Sequence, residues 1–260
     1  MTASDQAPEG RVTLVSEDGV ATLTLDRPSK LNAIGPGMLV ELDRLMSQLD
    51  VDPNVRTVIV TGSGVRAFSV GADVTAWAAL EPLYMWRSWI REGHRVLRRL
   101  AHLRQPTIAA INGYAFGGGL ELALAADIRV AADSATFALP ESKIGTLPGW
   151  AGTTRLPEVI GAARAKQMIF SGCRIDAATA ERWGLVNEVV SLATLMERCR
   201  GLALEIAANA PVSVQLAKAA INGDASAPEA FAGALAAGTE DGREGATAFQ
   251  EKRPPRFSGR

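Results

Sequence analysis

Three consecutive glycines stand in the run Asn112-Gly113-Tyr114-Ala115-Phe116-Gly117-Gly118-Gly119-Leu120-Glu121, directly ahead of a good helix-forming sequence. Glycine is costly in a helix, so bare backbone must be needed there. Amide N–H groups left unpaired at a helix start, and covered by no side chain, can hold an anion or a developing oxyanion. A tight turn under close packing is the other account of the same residues. A second turn of small residues, Gly71-Ala72-Asp73, leads from a strand-like run into a helical segment and again offers forward-pointing amides. Two amide donors make an oxyanion hole. The carboxylates nearest these surroundings are Glu121, four residues after Gly117, and Glu141, in Phe137-Ala138-Leu139-Pro140-Glu141. Taken singly, Glu121 reads as a helix N-terminal acid favoured by the dipole and Glu141 as a capped loop acid. Their coincidence with the glycine run shifts the balance toward function.

Other chemistries are poorly served. Gly62-Ser63-Gly64-Val65-Arg66-Ala67 satisfies the loose dinucleotide pattern G-x-G-x-x-G/A, with Glu81 near the expected acidic position. That pattern needs a helix to begin at the glycines, yet a strand-like run, Ala67 to Gly71, follows, and a hairpin turn is expected instead. A nucleotide-dependent dehydrogenase rests on these residues alone. The two histidines, His94 and His102, sit among arginines on one predicted helix and read as surface residues. No G-x-S-x-G elbow, H-E-x-x-H zinc pattern or P-loop is present. Cys173 and Cys199 are not in a CxxC spacing, and ordinary free thiols are expected. No metal site is expected.

The elements that must position these groups can be read from periodicity. Val12 to Val15 and Val20 to Leu25 form a predicted hairpin around Glu17-Asp18-Gly19. Met38, Leu39, Leu42, Leu45, Met46 and Leu49 recur at spacings of three and four, which predicts an amphipathic helix over Gly37 to Leu49. Strands follow at Thr57 to Thr61, Ala67 to Val70, Thr107 to Ile111 and Ile128 to Val130, with helices at Arg91 to Leu103 and about Gly118 to Ala126. Strands alternating with helices imply an α/β core, and the irregular β-β-α rhythm suggests turns of a coiled superstructure. From Leu192 the chain becomes rich in Ala, Leu and Glu, which predicts a core domain over residues 1–191 and a helical region over 192–260.

Of the 260 residues, 47% are hydrophobic and 21% charged, the mix of a globular protein with a large core. Lys and Arg number 27 against 28 Asp and Glu, so no chain-wide field attracts nucleic acid or an anionic membrane. The longest uncharged stretch, Gln105 to Leu120, is broken by Pro106 and glycines, and no membrane span is expected. Met1 to Gly10 carries Asp5 and Glu9 and no basic residue, which predicts a cytoplasmic protein. From charge alone the basic tail after Glu251 reads as a solvated end.

With these motifs in order, the sequence resembles the enoyl-CoA hydratase/isomerase (crotonase) family over nearly its whole length. The likeness rests on Asp26-Arg27-Pro28 with Leu31-Asn32-Ala33, Ala67-Phe68-Ser69-Val70-Gly71-Ala72-Asp73, the Asn112 to Glu121 run, Pro140-Glu141, Gly145-Thr146-Leu147-Pro148-Gly149 and Phe249-Gln250-Glu251-Lys252-Arg253. The resemblance implies a spiral of β-β-α units with a C-terminal helical trimerisation region, assembled as a homotrimer or dimer of trimers. It implies an oxyanion hole from the amides of Ala72 and Gly118 and catalytic roles for Glu121 and Glu141. The substrate is then a coenzyme A thioester, with no further cofactor. Its nucleotide end is expected near Arg27 and Lys30, with Lys252 reaching a phosphate from a neighbouring subunit. Ala33, Asp73, Val74 and Trp150 complete the expected substrate-binding set.

The resemblance favours reversible addition of water to a 2-enoyl-CoA, because both glutamates are present. The alternatives are a family hydratase/lyase or isomerase acting on a specialised acyl-CoA, an aromatic one among them, and a non-catalytic acyl-CoA-binding protein. Two departures bear on the acyl pocket. Trp150-Ala151 stands where relatives often have small residues, and Thr75 stands where a basic residue is frequent. Trp77, Tyr84, Trp86 and Trp89 crowd one segment, as plain packing or as the wall of an aromatic pocket.

Overall fold

A computed structural model describes residues 10–223 and 227–259. The stretch Met1 to Glu9, on which the cytoplasmic reading leans, lies outside the described residues.

Two sheets carry the architecture. The first has six strands, β1 (Arg11–Glu17), β2 (Val20–Asp26), β3 (Thr57–Gly62), β5 (Thr107–Ile111), β7 (Ile128–Ala132) and β10 (Glu188–Val190), in the order β1-β2-β3-β5-β7-β10. The second has the order β4-β6-β8-β9, from β4 (Ala67–Ser69), β6 (Tyr114–Phe116), β8 (Thr136–Ala138) and β9 (Ile175–Asp176). From β2 to β10 the first sheet is parallel, and so is β4-β6-β8 in the second. Successive turns of the chain give one strand to the first sheet (β3, β5, β7) and the next to the second (β4, β6, β8). That alternation is the spiral of β-β-α units which the sequence rhythm implied.

The hairpin β1–β2 turns on Asp18 and Gly19, both at positive φ (53° and 78°), as a two-residue primed turn requires. The expected hairpin at Gly62 to Ala67 does not form. β3 and β4 belong to different sheets, so these residues bridge the two layers, and the side chain of Asn112 ties the crossing down by accepting from Gly62 N (3.3 Å) and donating to Gly62 O (2.9 Å). A strand, not a helix, follows the glycines, which removes the dinucleotide reading.

The helices are α1 (Pro36–Val51), α2 (Val74–Trp77), α3 (Pro82–Tyr84), α4 (Arg91–Ala101), α5 (Gly118–Ala125), α6 (Gly152–Ile160), α7 (Ala162–Ser171), α8 (Ala177–Trp183), α9 (Leu195–Ala207), α10 (Pro211–Ile221), α11 (Ala227–Gly238) and α12 (Glu240–Gln250). A π-helical stretch, Met85–Ile90, runs into α4. α1 starts with a proline in its first turn and buries the six apolar residues predicted for its inner face. α5 is different, because all eight of its residues are buried. A helix buried all round belongs in the centre of a fold, and it lies against β4, β6, α4 and α6.

The chain divides into two units at Gln215/Leu216, not at the 191/192 boundary expected from composition. The reason is α9. It packs on β2, β3, β5 and β7, with Thr57 donating its hydroxyl to Ala203 O (3.2 Å) and Arg56 donating to Ala207 O (3.0 Å). The second unit, from Leu216, holds α11, α12 and the tail, where Arg253 pairs with Glu244 at 2.6 Å. Among the described residues no helix is long and apolar enough to cross a membrane.

Candidate active site

The chain enters α5 through Gly117, whose φ of 52° and ψ of −129° is open to glycine and strained for other residues. This turn brings the first amides of α5 against the Gly71-Ala72-Asp73 turn. A Cβ on Gly71 would lie 2.6 Å from the Gly118 nitrogen, and one on Gly118 would lie 3.3 Å from the Ala72 nitrogen. The second turn is held by parallel bridging to the chain before α1: Ile34 N donates to Gly71 O (2.7 Å) and Asp73 N to Ile34 O (2.9 Å). The Ala72 N–H between them is left over. Neither it nor the Gly118 N–H meets a protein acceptor among the described residues.

Both amide-bearing residues line an apolar cavity of about 170 Å³, together with Glu121, Glu141, Trp150 and Val74. Glu121 is 2% exposed. Its Oε1 accepts from the backbone N–H groups of Trp150 and Gly152, both at 2.7 Å. Ala151 between them takes the left-handed conformation (φ 81°), which turns the flanking amides onto one oxygen. Burial pushes the Glu121 carboxyl up to about 7, against the lowering pull of those two donors, and the charge of Glu141 adds to the rise. Glu141 begins a 3-10 turn after Pro140. Burial pushes it up to about 7 as well, and its Oε2 is enclosed without a hydrogen-bond partner among the described residues. Two acids titrating near neutrality in one apolar cavity can supply a proton acceptor and a proton donor together.

The remaining predicted residues separate into groups. Asp73 caps α2, accepting from Thr75 N (3.0 Å) and the Thr75 hydroxyl (2.7 Å). Arg27 does not line the cavity. Its Nη1 donates to Asp73 Oδ2 (2.6 Å) and Ala33 O (3.3 Å), so its guanidinium braces the Ala72 turn. Lys30 is exposed at the end of a short 3-10 turn, and Lys252 is exposed just after α12 in the second unit. Of the crowded aromatics, Trp77 and Trp89 line the cavity while Tyr84 and Trp86 are exposed. His94 and His102 are exposed on and just after α4.

Sequence reasoning missed four contributors. Asn32, 1% exposed and at a φ of 56°, donates to Ser63 O (3.0 Å) and Ala67 O (2.8 Å) and accepts from Arg27 N (2.9 Å). An asparagine just after a Pro-Ser-Lys-Leu turn was the available signal, since asparagine tolerates the left-handed region. Arg155 on α6 sets a positive charge near Glu121 and has a buried Nη1 without a hydrogen-bond partner among the described residues. Nothing in its sequence surroundings marks it. Met85 and Ile90 line the cavity from the π-helical stretch. No group of three His, Cys, Asp or Glu is arranged to hold a metal among the described residues.

The family model for enoyl-CoA hydratase/isomerase matches residues 16–260. The chain belongs to the enoyl-CoA hydratase/isomerase family. It is 41% identical to the short-chain-enoyl-CoA hydratase of Clostridium acetobutylicum, over 93% of this chain and 95% of that one. It is 40% identical to the carnitinyl-CoA dehydratase of Escherichia coli K12, over 95% and 98%. Among solved structures, the enoyl-CoA hydratase of Bacillus anthracis superposes with a TM-score of 0.80 at 37% identity, over 96% of this chain and 99% of that one. Family membership agrees with the spiral of paired sheets, and most of the motifs that carried the resemblance surround the cavity in the first unit.

Proposed function

We propose that the protein adds water reversibly across the double bond of a 2-enoyl-CoA thioester to give the 3-hydroxyacyl-CoA. The observation that carries this reading is the meeting of two unpaired amides and two high-pKa carboxyls in one apolar cavity. As a water oxygen attacks the β-carbon, the π electrons move toward the thioester and negative charge grows on its oxygen. The Ala72 and Gly118 amides receive that charge, a contact worth about 2.7–4 kcal/mol per donor in related cases. One glutamate takes the proton of the attacking water and the other delivers a proton to the α-carbon, so that one H and one OH are added in all. Positioned proton transfer of this kind contributes a further ~10²–10⁴-fold.

The chemistry needs no cofactor beyond the coenzyme A of the substrate. The pantetheine and nucleotide run outward past Lys30 and the Arg27–Asp73 pair, and Lys252 reaches a phosphate from a neighbouring copy in a homotrimer or dimer of trimers. The enzyme works in the cytoplasm. A second reading, hydratase/lyase or isomerase action on an aromatic acyl-CoA, draws on Trp77 and Trp89 in the cavity wall.

The test is a panel of aliphatic and aromatic enoyl-CoA thioesters, followed by loss of the conjugated-thioester absorbance and by product mass. Gain of one water by aliphatic substrates supports the hydratase. Cleavage or double-bond migration supports the second reading, and failure to convert any thioester refutes both.

A further inference from the structure

Gly93 lies inside α4, where glycine is unfavourable unless something needs the space. The indole of Trp150 takes that space. A Cβ on Gly93 would fall 2.0 Å from Nε1 and 2.1 Å from Cε2 of the ring. The opposite edge, Cε3 and Cζ3, would each lie 2.6 Å from a Cβ on Gly118. The ring therefore spans from the first turn of α4 to the first residue of α5, and Trp89 tilts against it at 53° with centroids 5.7 Å apart.

This ring is a fixed wall. Trp150 is 3% exposed, its backbone N–H is bound to Glu121, and the left-handed Ala151 fixes the backbone behind it. Its location matters more than its bulk. A thioester oxygen at the Ala72 and Gly118 amides puts the β-carbon within reach of Glu121 and Glu141. The indole edge rests on Gly118 and its backbone holds Glu121, so the ring stands in the cavity wall directly beside the atoms that would react. The cavity left is about 170 Å³, below the ~300–1,000 Å³ usual for ligand pockets.

We propose that Trp150, seated in the slot that Gly93 leaves open, closes the acyl end of the cavity and makes this a site for short-chain acyl thioesters. The proposal rests on the hydratase reading for where the reacting atoms lie, and it names the substrate class of that site. Trp150 is then a specificity-determining residue, and Gly93 is the residue that makes room for it.

The test compares the full-length protein with Trp150→Ala and Trp150→Phe. Hydration of crotonyl-CoA and of 2-decenoyl-CoA is measured, with calorimetric binding of the saturated butanoyl- and decanoyl-CoA and a Tm for each variant. The ratio of kcat/KM for decenoyl over crotonyl should rise about tenfold or more in Trp150→Ala, because a lost wall admits methylenes that were excluded. Trp150→Phe should move it less in the same direction, and decides the matter if the alanine variant does not fold. The decanoyl-to-butanoyl affinity ratio should follow. Unchanged ratios in folded variants, or a parent protein that already prefers decenoyl-CoA, would overturn the proposal. If the parent hydrates neither thioester, the hydratase reading fails, while the affinity ratio still decides whether Trp150 is the wall. Absence of all acyl-CoA binding overturns both.

Discussion

The guanidinium of Arg27 meets the carboxylate of Asp73 at 2.6 Å, with side chains only 12% and 15% exposed. The pair joins the end of β2 to the residue following Ala72. Burial raises the Asp73 carboxyl, but the Thr75 hydroxyl and Arg27 outweigh it and hold the group below the ordinary aspartate range. Arg27→Ala should therefore cost about 1.5–3 kcal/mol by stranding a partly covered charge, and should slow turnover by loosening the Ala72 amide. Because the folded-state pKa is depressed, this stabilisation is present above the unfolded value near 3.8 and fades as pH falls. Urea melts of parent and variant should converge in acid. A constant gap down to acid pH would exclude the ion pair as its source.

Glu121→Gln and Glu141→Gln should each lower kcat by ~10²–10⁴-fold while binding of a saturated acyl-CoA survives. Glutamine at 121 still offers an oxygen to the Trp150 and Gly152 amides, so the local backbone has no reason to move. Steady-state kinetics beside calorimetric binding checks both halves. Near-parental turnover in either variant would remove that residue from the proton transfers.

Both carboxyls titrate near 7, and the charge of one raises the other. The state with one proton shared between them then peaks near neutrality, so kcat/KM should fall about tenfold per pH unit on either side. Stability gives an independent reading. A carboxyl whose folded pKa is raised from 4.5 to about 7 contributes fully below pH 4.5, and that contribution is lost as pH rises through about 7. Glu121→Gln escapes the loss, and its Tm advantage over the parent should grow between those values and level off above them. An advantage independent of pH would mean that Glu121 is not a raised acid.

Gly118→Val should harm catalysis more than folding predicts. Its Cβ would lie 2.6 Å from the Trp150 ring and 3.3 Å from the Ala72 nitrogen, in the space an oxyanion must enter. The clash with the ring should lower Tm, and kcat per folded molecule should fall about 10²-fold or more below the temperature where the variant melts. Loss of fold and rate in equal measure would leave the amide without a demonstrated role.

Much of this site was legible because its parts are local. The glycine run, the small-residue turn and the two glutamates are visible as residue types, and α1 and the β1–β2 hairpin follow from spacing and from Asp18-Gly19 alone. What stayed hidden depends on distant pairings. Nothing in the spacing of Gly62 to Ala67 says that β3 and β4 join different sheets, and the assignment of α9 to the core follows from its contacts with β2, β3 and β5. The bracing role of Arg27 has no local sign, because its partner Asp73 lies 46 residues away. Gly93 is equally silent, because the ring that occupies its side comes from Trp150, far along the chain.

Asn32 gives the most demanding check of how the oxyanion turn is held. Its backbone carbonyl accepts the Ser69 hydroxyl (2.7 Å), and Ser69 Oγ in turn accepts from Gly71 N (3.1 Å), so a short chain of bonds runs from Asn32 to the turn that bears Ala72. Its side chain fastens the other end to Ser63 and Ala67. Asn32→Ala removes the side-chain bonds and puts alanine in a left-handed conformation, so a cost on the order of 3 kcal/mol is expected from the stranded buried groups and the backbone strain together. Asn32→Gly removes the same bonds without the strain and should fall between alanine and parent in a urea melt. In both variants kcat should drop further than binding of a saturated acyl-CoA, because the segment they loosen leads through Ser69 to the turn bearing the amide proposed to meet the oxyanion. If glycine and alanine variants melt alike, the left-handed backbone contributes nothing, and if kcat is untouched, the side-chain bonds of Asn32 to Ser63 and Ala67 do not hold the Ala72 turn in place.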